Sequence, residues 1–335
     1  MNVLLTNRCN RRCSYCFLGS DLVAPDADGH DMRREDFSLV LRYAEQLVTL
    51  GAKERLNIMG GEPTLHPEFE GIFKKALAYR GVRGGLEFLP VNVFSNGLFE
   101  RGIGTLMARE ACGLMININH PDTYNSREWE LLESNLGEIS SIARDSGKLS
   151  FSFNIYSPEQ EFDFLLDMAA RHGVSQVRVD LSRPAPGRGN TFVDTDQLKG
   201  AVGAFVALVR SSRERNIDVI SDCCLPVCSF SDEQLKDVIE CGVDISFSCS
   251  GAIDVNYDLE LWYCGPLRHL KFGKVTDFAD GREILKALEA KTYHLRWNVF
   301  PFDRCESCKW RTLKICQCGC LSLKSYETAG ATRAP

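Results

Sequence analysis

The segment Thr6–Phe17 reads Thr-Asn-Arg-Cys-Asn-Arg-Arg-Cys-Ser-Tyr-Cys-Phe and sets thiols at positions 9, 13 and 16, directly after the short apolar run Val3 to Thr6. Thiolates are the usual protein ligands of iron–sulfur clusters. Three of them at this spacing wrap one side of an iron–sulfur cube and leave its fourth iron without a protein ligand. A structural zinc site closes with a fourth Cys or His, and none follows Cys16 within the next dozen residues. Zinc, or three plainly buried cysteines, are the alternatives to an open cluster.

Outward from this segment, short runs rich in Val, Ile, Leu and Phe alternate with helical patterns. The expected strands are Val3 to Thr6, Arg55 to Met59, Leu86 to Ser95, Gly113 to Asn119, Leu149 to Tyr156 and Gln176 to Ser182. A helical stripe of Phe37, Val40, Leu41, Ala44, Leu47 and Val48 ends at Gly51, a glycine stop. A second helix is expected to open at Ser157-Pro158 and to bury Phe162, Leu165, Leu166 and Ala169 before Gly173. A third follows the cap candidates Asp194 and Thr195 and buries Leu198, Val202, Phe205 and Val209. Six strand–helix units in succession predict an α/β fold with parallel strands and helical crossovers. A doubly wound sheet and a curved, incomplete barrel both fit, and either places ligands at the C-terminal ends of the strands. The cysteine loop, Gly60-Gly61-Glu62-Pro63 and Ser95-Asn96-Gly97 end the first three strands, so all three face one end of the sheet.

Cys-x3-Cys-x2-Cys, with Tyr15 just before the last cysteine, together with Gly60-Gly61-Glu62-Pro63 in IMGGEPTLHP, resembles the radical S-adenosylmethionine (SAM) enzymes. The resemblance covers about the first 215 residues and implies a partial (β/α)6 TIM barrel. It implies a 4Fe-4S cluster on Cys9, Cys13 and Cys16, with SAM chelating the open iron. The Gly60–Pro63 turn would meet the SAM amine through its carbonyls, with Glu62 as a further acceptor. Tyr15 would lie near the adenine, with Ser95 and Asn96 beside the cofactor, and Asn117 and Asn154 would contact the ribose or methionine moiety. Where relatives often carry a Ser-x-Asp-Gly-Pro-like run, this chain has Asn117-Ile118-Asn119-His120-Pro121. His120 is more simply a structural strand-end residue than a base. The implied chemistry is reductive cleavage of SAM to methionine and a 5'-deoxyadenosyl radical, which removes a substrate hydrogen; no acid or base is assigned.

With 335 residues the chain exceeds what one core usually serves. The expected partition is a barrel over 1–215, a cysteine-rich domain over 216–325 and a tail over 326–335. The net charge of -6 is spread along the chain with no basic stripe, which disfavours nucleic acid. No charged leader with an apolar core and no long apolar stretch occurs, so a cytoplasmic, non-membrane protein is expected. The 15 cysteines are odd in number and gather at the two ends, which suits metal ligation in a reducing compartment better than a disulfide scaffold.

After about residue 215, eleven cysteines recur: 223, 224, 228, 241, 249, 264, 305, 308, 316, 318 and 320. Two Cys-x2-Cys-like groups also suit a zinc ribbon. The run Cys249-x14-Cys264, then Cys305-x2-Cys308 and Cys316-x3-Cys320, resembles the SPASM extension, which carries auxiliary 4Fe-4S clusters. That resemblance implies a small SPASM-like or one-cluster twitch-like domain. Its first cluster would take Cys249, Cys264 and Cys320 with Cys228 or Cys241; its second would take Cys305, Cys308 and Cys316. Seven residues separate Cys308 from Cys316, Cys318 is extra, and no cysteine follows Cys320. The second cluster would then take Cys318, borrow Cys223 or Cys224, or keep an open site.

Relatives with such extensions often modify peptides, so a ribosomally made peptide or protein is the expected substrate, through thioether or carbon–carbon crosslinking or oxidation. A sugar or amine is the small-molecule alternative; a zinc-binding module and an iron–sulfur electron carrier are the non-enzymatic ones. An external electron donor of flavodoxin or ferredoxin type is implied. The chain starts a few residues before its first strand, so any leader-binding domain is expected on a separate protein. Arg178, Asp180, Arg183 and Asp222 are candidate pocket groups, equally readable as rim ion pairs.

Overall fold

The computed structural model describes residues 1–79, 89–143 and 147–331. In chain order its main elements are β1 (Asn2–Leu4), α1 (Arg34–Thr49), β2 (Leu56–Met59), α2 (Phe69–Leu77), β3 (Val91–Ser95), α3 (Arg101–Glu110), β4 (Gly113–Asn117), α4 (Ser126–Ala143), β5 (Leu149–Ile155), α5 (Asp163–His172), β6 (Gln176–Leu181), α6 (Leu198–Glu214) and β7 (Asp218–Ile220). The C-terminal third adds α7 (Asp232–Glu240), β8 (Asp254–Val255), β9 (Glu260–Trp262), β10 (Gly273–Lys274), α8 (Gly281–Asn298), α9 (Lys309–Thr312) and α10 (Leu321–Ala331). All six expected strands are present, the first shifted to start at Asn2 and the others shorter than expected; residues 86–88 of the expected third strand lie outside the described residues.

One ten-stranded sheet runs β10-β9-β8-β1-β2-β3-β4-β5-β6-β7. Strands β1 to β7 pair in parallel, β8 joins β1 in parallel, and β9 and β10 are antiparallel additions. The sheet therefore continues across residue 215, because β7 extends the β6 edge and β8 caps the opposite edge beside β1. Helix α10 likewise crosses residue 325.

Register fixes what each face carries. Val3, Ile58, Val93 and Leu114 are in line across β1 to β4, fully or almost fully buried, as are Ile116, Phe151 and Val177 across β4 to β6. These belong to the main core with the inward stripes of the helices, such as Phe37, Val40, Leu41, Ala44 and Leu47 of α1. Since side chains alternate along a strand, the opposite face carries Asn57, Met59, Asn117, Ser152, Asn154, Arg178 and Asp180. That concave face is thus largely polar. Near its lower end, Asn57 donates to Asn2 and Asn2 to the buried Asp254, both at 2.8 Å, while Asn57 Oδ1 has no partner among the described residues.

Helix ends follow local chemistry. Gly51 at φ 68° and Gly173 at φ 66° terminate α1 and α5, as left-handed glycine caps do. The helix expected from Ser157 starts instead at Asp163. The Gln160 side chain accepts from the Tyr156 amide at 2.9 Å and donates to the Asn154 carbonyl at 3.1 Å, holding residues 157–160 as a turn. Helix α6 starts at Leu198, after Asp194 accepts from the Asp196 and Gln197 amides at 3.0 and 2.8 Å. Among the described residues no helix is long and apolar enough to cross a membrane.

Candidate metal and cofactor site

The cysteine loop is held by its own polar residues. Asn7 donates to the Asp21 carbonyl and accepts from the His30 amide, both at 2.8 Å, and Arg8 pairs with Asp31 at 3.1 Å. The amides of Asn7, Cys9 and Val23 tie residues 7–9 to residues 23–30. Arg11 is buried, lies 3.9 Å from the centre of the Tyr124 ring, and bonds Glu128 and Thr123 at 3.0 Å each. Leu18 packs with Leu4 and Trp262, joined by Cys16, Phe17 and Met59, so the end of the loop sits on the sheet beside β1 and the C-terminal region.

The Gly60–Pro63 turn is built against this loop. A Cβ on Gly60 would lie 2.7 Å from the Thr6 carbonyl oxygen, and one on Gly61 would overlap the Arg8 carbonyl. The Gly61 amide donates to the Thr6 carbonyl at 2.8 Å and the Glu62 amide to the Arg8 carbonyl at 2.7 Å. The two glycines are therefore required by backbone-to-backbone approach of the turn to the cysteine loop. Among the described residues the carbonyls of Gly60 and Gly61 accept no hydrogen bond, which leaves them available to a ligand amine.

Glu62 does something other than expected. Its carboxylate is fully buried and accepts from the Thr64 hydroxyl and amide at 2.7 and 3.3 Å, the Ser95 hydroxyl at 2.9 Å and the Asn96 amide at 2.8 Å. Burial pushes this carboxyl up while the four donors pull it back. Glu62 thus clasps the turns after β2 and β3 together, and Ser95 is its partner rather than a free ligand group. Asn96 faces the loop: its Nδ2 donates to Asn10 at 2.7 Å and lies 3.9 Å from the Cys9 sulfur.

Tyr15 stands at the centre of the remaining polar groups. Its hydroxyl accepts from Asn117 at 2.8 Å and donates to Asn119, and Asn154 donates to Asn117 at 3.2 Å. The Tyr15 ring stacks on Tyr156 at 5.5 Å. Asn119 Nδ2 reaches the Cys13 sulfur at 3.7 Å. Asn10 and Asn119 were not singled out from the sequence; the two-residue step from Asn117 to Asn119 is the strand period that signals a shared face. His120 caps the turn at Pro121–Thr123 by accepting from the Asp122 amide at 3.3 Å. Arg178 pairs with both Asp180 and Asp222 on the concave face.

The residues fit an anionic ring around a metal cluster. Burial pushes the Cys9 thiol up to about 12, and the charges of Glu62, Cys13 and Cys16 add to the shift. Cys9 is buried and Cys13 and Cys16 are half-buried, and a bound cationic centre, which requires the thiols deprotonated, would offset the repulsion among the three thiolates. Side-chain amides of Asn96 and Asn119 beside two of the sulfurs supply the hydrogen bonds such clusters use. Among the described residues no group of three Cys, His, Asp or Glu side chains is arranged to hold a single metal ion.

The C-terminal thiols form two groups. Cys224, Cys249 and Cys320 touch one another, and the charges of Cys223 and Cys264 join theirs. Cys228, Cys305, Cys316 and Cys318 form the second group, with Cys308 one turn from Cys305 at the start of α9. This differs from the expected map. Cys228 sits with the second group because Pro226–Ser229 turns the chain away from Cys224. Cys241 stands apart at the end of α7, against the barrel core and near Arg210. Cys318 (φ 64°) and Gly319 (φ 85°) are both left-handed, and that turn sends Cys316 and Cys318 to one group and Cys320 to the other. Phe17, next to Cys16, packs where a Cβ on Gly265 would lie 2.7 Å from its ring, so the chain after Cys264 abuts the cysteine loop.

The Radical SAM superfamily model matches residues 3–133. Over 131 residues, 37% of this chain and 36% of the relative, the chain is 28% identical to GTP 3',8-cyclase of Alkaliphilus metalliredigens. It is 23% identical to that of Aquifex aeolicus over 163 residues, 47% of this chain and 46% of the relative. The chain spans less than half the length of either cyclase. Its fold matches Streptococcus suis SuiB bound to S-adenosylmethionine (TM-score 0.63, 14% identity, 95% of this chain and 72% of SuiB). It also matches anSMEcpe with bound AdoMet (TM-score 0.61, 14% identity, 95% of this chain and 88% of anSMEcpe). Residues 3–133 thus match a radical SAM domain. The chain as a whole has the partial-barrel α/β fold of these solved structures, with a cysteine-rich C-terminal region.

Proposed function

We propose that this protein reductively cleaves SAM and uses the resulting carbon radical to take a hydrogen from a peptide or protein side chain. The observation that carries the reading is the meeting of the Cys9, Cys13 and Cys16 thiols, the free Gly60 and Gly61 carbonyls and the Tyr15–Asn117–Asn119 group at one end of the parallel strands. A 4Fe-4S cluster on the three thiols would supply the electron to bound SAM. The chain's own part is placement. Gly60 and Gly61 offer acceptors for an amine, Tyr15 and Asn117 offer polar contacts to the nucleoside, and Glu62 locks the turns that carry them.

The C-terminal thiols support SPASM-like auxiliary 4Fe-4S clusters, the first on Cys224, Cys249, Cys264 and Cys320 and the second on Cys228, Cys305, Cys316 and Cys318. On this grouping, a Cys224→Ala/Cys249→Ala variant is expected to lose about four irons, whereas Cys241→Ala keeps the wild-type iron and sulfide content. The reverse pattern in iron and sulfide analysis would reject the grouping.

A peptide substrate is supported by the fold shared with SuiB, solved bound to precursor peptide SuiA (TM-score 0.62, 15% identity, 95% of this chain and 71% of SuiB). The GTP cyclases favour the second reading, a small-molecule substrate. Reaction with SAM, dithionite and either a deuterated peptide fraction or a deuterated low-mass fraction separates them. Deuterium in 5'-deoxyadenosine from the peptide fraction alone is expected; label from the low-mass fraction alone would overturn the peptide assignment. On this reading electrons arrive from an external flavodoxin- or ferredoxin-type donor.

A further inference from the structure

Arg183, just past the end of β6, is 4% exposed. Its Nη2 donates to the Cys224 carbonyl at 2.9 Å, while Nε and Nη1 have no hydrogen-bond partner among the described residues. Burying a guanidinium with two donors unmet costs several kcal/mol, on the order of a lost charged hydrogen bond for each. Among the described residues no carboxylate takes up those donors. Asp180, three residues earlier, is committed to Arg178, the Ser221 hydroxyl at 2.9 Å and the Asp222 and Cys223 amides at 3.1 and 2.9 Å. The groups whose charge acts most on Arg183 are the thiols of Cys320, Cys223 and Cys224. Its backbone is fixed as well, because Asn190 donates to the Arg183 carbonyl at 2.9 Å and accepts from the Ala185 amide at 2.9 Å.

We propose that Arg183 is a cofactor-binding residue of the first auxiliary cluster, its Nε and Nη1 donating to the sulfur of the cluster and its ligands. This inference rests on the reading of Cys224, Cys249, Cys264 and Cys320 as that cluster's ligands. A cluster on four thiolates is a net negative assembly, so it supplies the counter-charge and the acceptors that the buried guanidinium lacks. Net charge and hydrogen bonds to sulfur are the levers a protein uses on cluster potential. A cation with two donors favours the reduced form, so Arg183 raises the potential of this cluster relative to the same thiols without it. It also ties the cluster to the end of β6 and, through Cys223 and Asp180, to the ion pairs of the concave face.

The test is a redox titration, followed by electron paramagnetic resonance, of full-length reconstituted protein carrying Cys9→Ala, Cys13→Ala and Cys16→Ala so that only auxiliary signals remain. Arg183→Met and Arg183→Lys are compared in that background, each with its iron and sulfide content. Arg183→Met is expected to keep its iron and to shift the reduced fraction at fixed potential at least tenfold towards oxidised, about 59 mV for one electron. Arg183→Lys, which keeps the charge but not the fork, is expected to shift in the same direction by less. Unchanged potentials at full iron content would overturn the proposal. So would loss of iron in Arg183→Met together with a wild-type potential in Arg183→Lys, since Arg183 would then serve only assembly. If the background protein itself binds no iron, the auxiliary-cluster reading fails, independently of Arg183.

Discussion

Replacing Cys9, Cys13 and Cys16 together by alanine is expected to lower bound iron by about four atoms and to abolish 5'-deoxyadenosine formation from SAM, leaving the auxiliary iron in place. The loop itself should survive, because its shape depends chiefly on Asn7, Arg8 and Arg11 and their partners Asp21, Asp31 and Glu128, with only long contacts from the Asn96 and Asn119 side chains to the sulfurs. Iron and sulfide analysis beside a SAM-cleavage assay checks this. Residual cleavage in the variant would place the reactive site elsewhere in the chain.

Gly61→Ala is expected to be nearly as damaging, although it removes no functional group. The added methyl overlaps the Arg8 carbonyl oxygen, with the Arg8 carbonyl carbon and the Asn7 backbone close behind. Backbone, unlike a flexible side-chain tip, cannot step aside, so the two turns must separate. The Gly61-to-Thr6 and Glu62-to-Arg8 hydrogen bonds then lengthen. Overpacking of this kind costs about 3 kcal/mol, and here it displaces the cysteine loop relative to the Gly60 and Gly61 carbonyls. Denaturant unfolding and SAM titration should both register it, whereas Gly102→Ala, where an added Cβ meets nothing, should leave both unchanged.

Much of the fold was legible because the six parallel strands are apolar on their helix-facing side, with Val3, Ile58, Val93, Leu114 and Leu149 standing in register, and because glycines punctuate the helices. The short strands β8 to β10, two or three residues each, are below the length at which alternation can be seen, so the extension of the sheet past residue 215 was not legible. The start of α5 was obscured by Gln160, whose side chain completes a turn that Ser157-Pro158 mimics as a helix opening.

The cysteine loop and the Gly60–Pro63 turn could be placed from spacing and position alone. The role of Glu62 could not, since its partners Ser95 and Asn96 lie more than thirty residues away. The division of the C-terminal thiols was hidden for a related reason. In Cys316-Gln317-Cys318-Gly319-Cys320 the neighbouring thiols part only because Cys318 and Gly319 adopt left-handed backbone, which a motif read for its spacing does not encode. Arg183 had been visible only as one charge among four near the sixth strand; its two unmet donors are a property of the packed structure.

The measurement closest to the central claim is dithionite-dependent turnover of SAM by anaerobically reconstituted wild-type protein, with methionine and 5'-deoxyadenosine quantified together. Equal amounts of the two products, formed only with reductant and only when iron and sulfide are bound, are the predicted result. Iron-loaded protein that binds SAM and returns it intact under the same conditions would contradict the account.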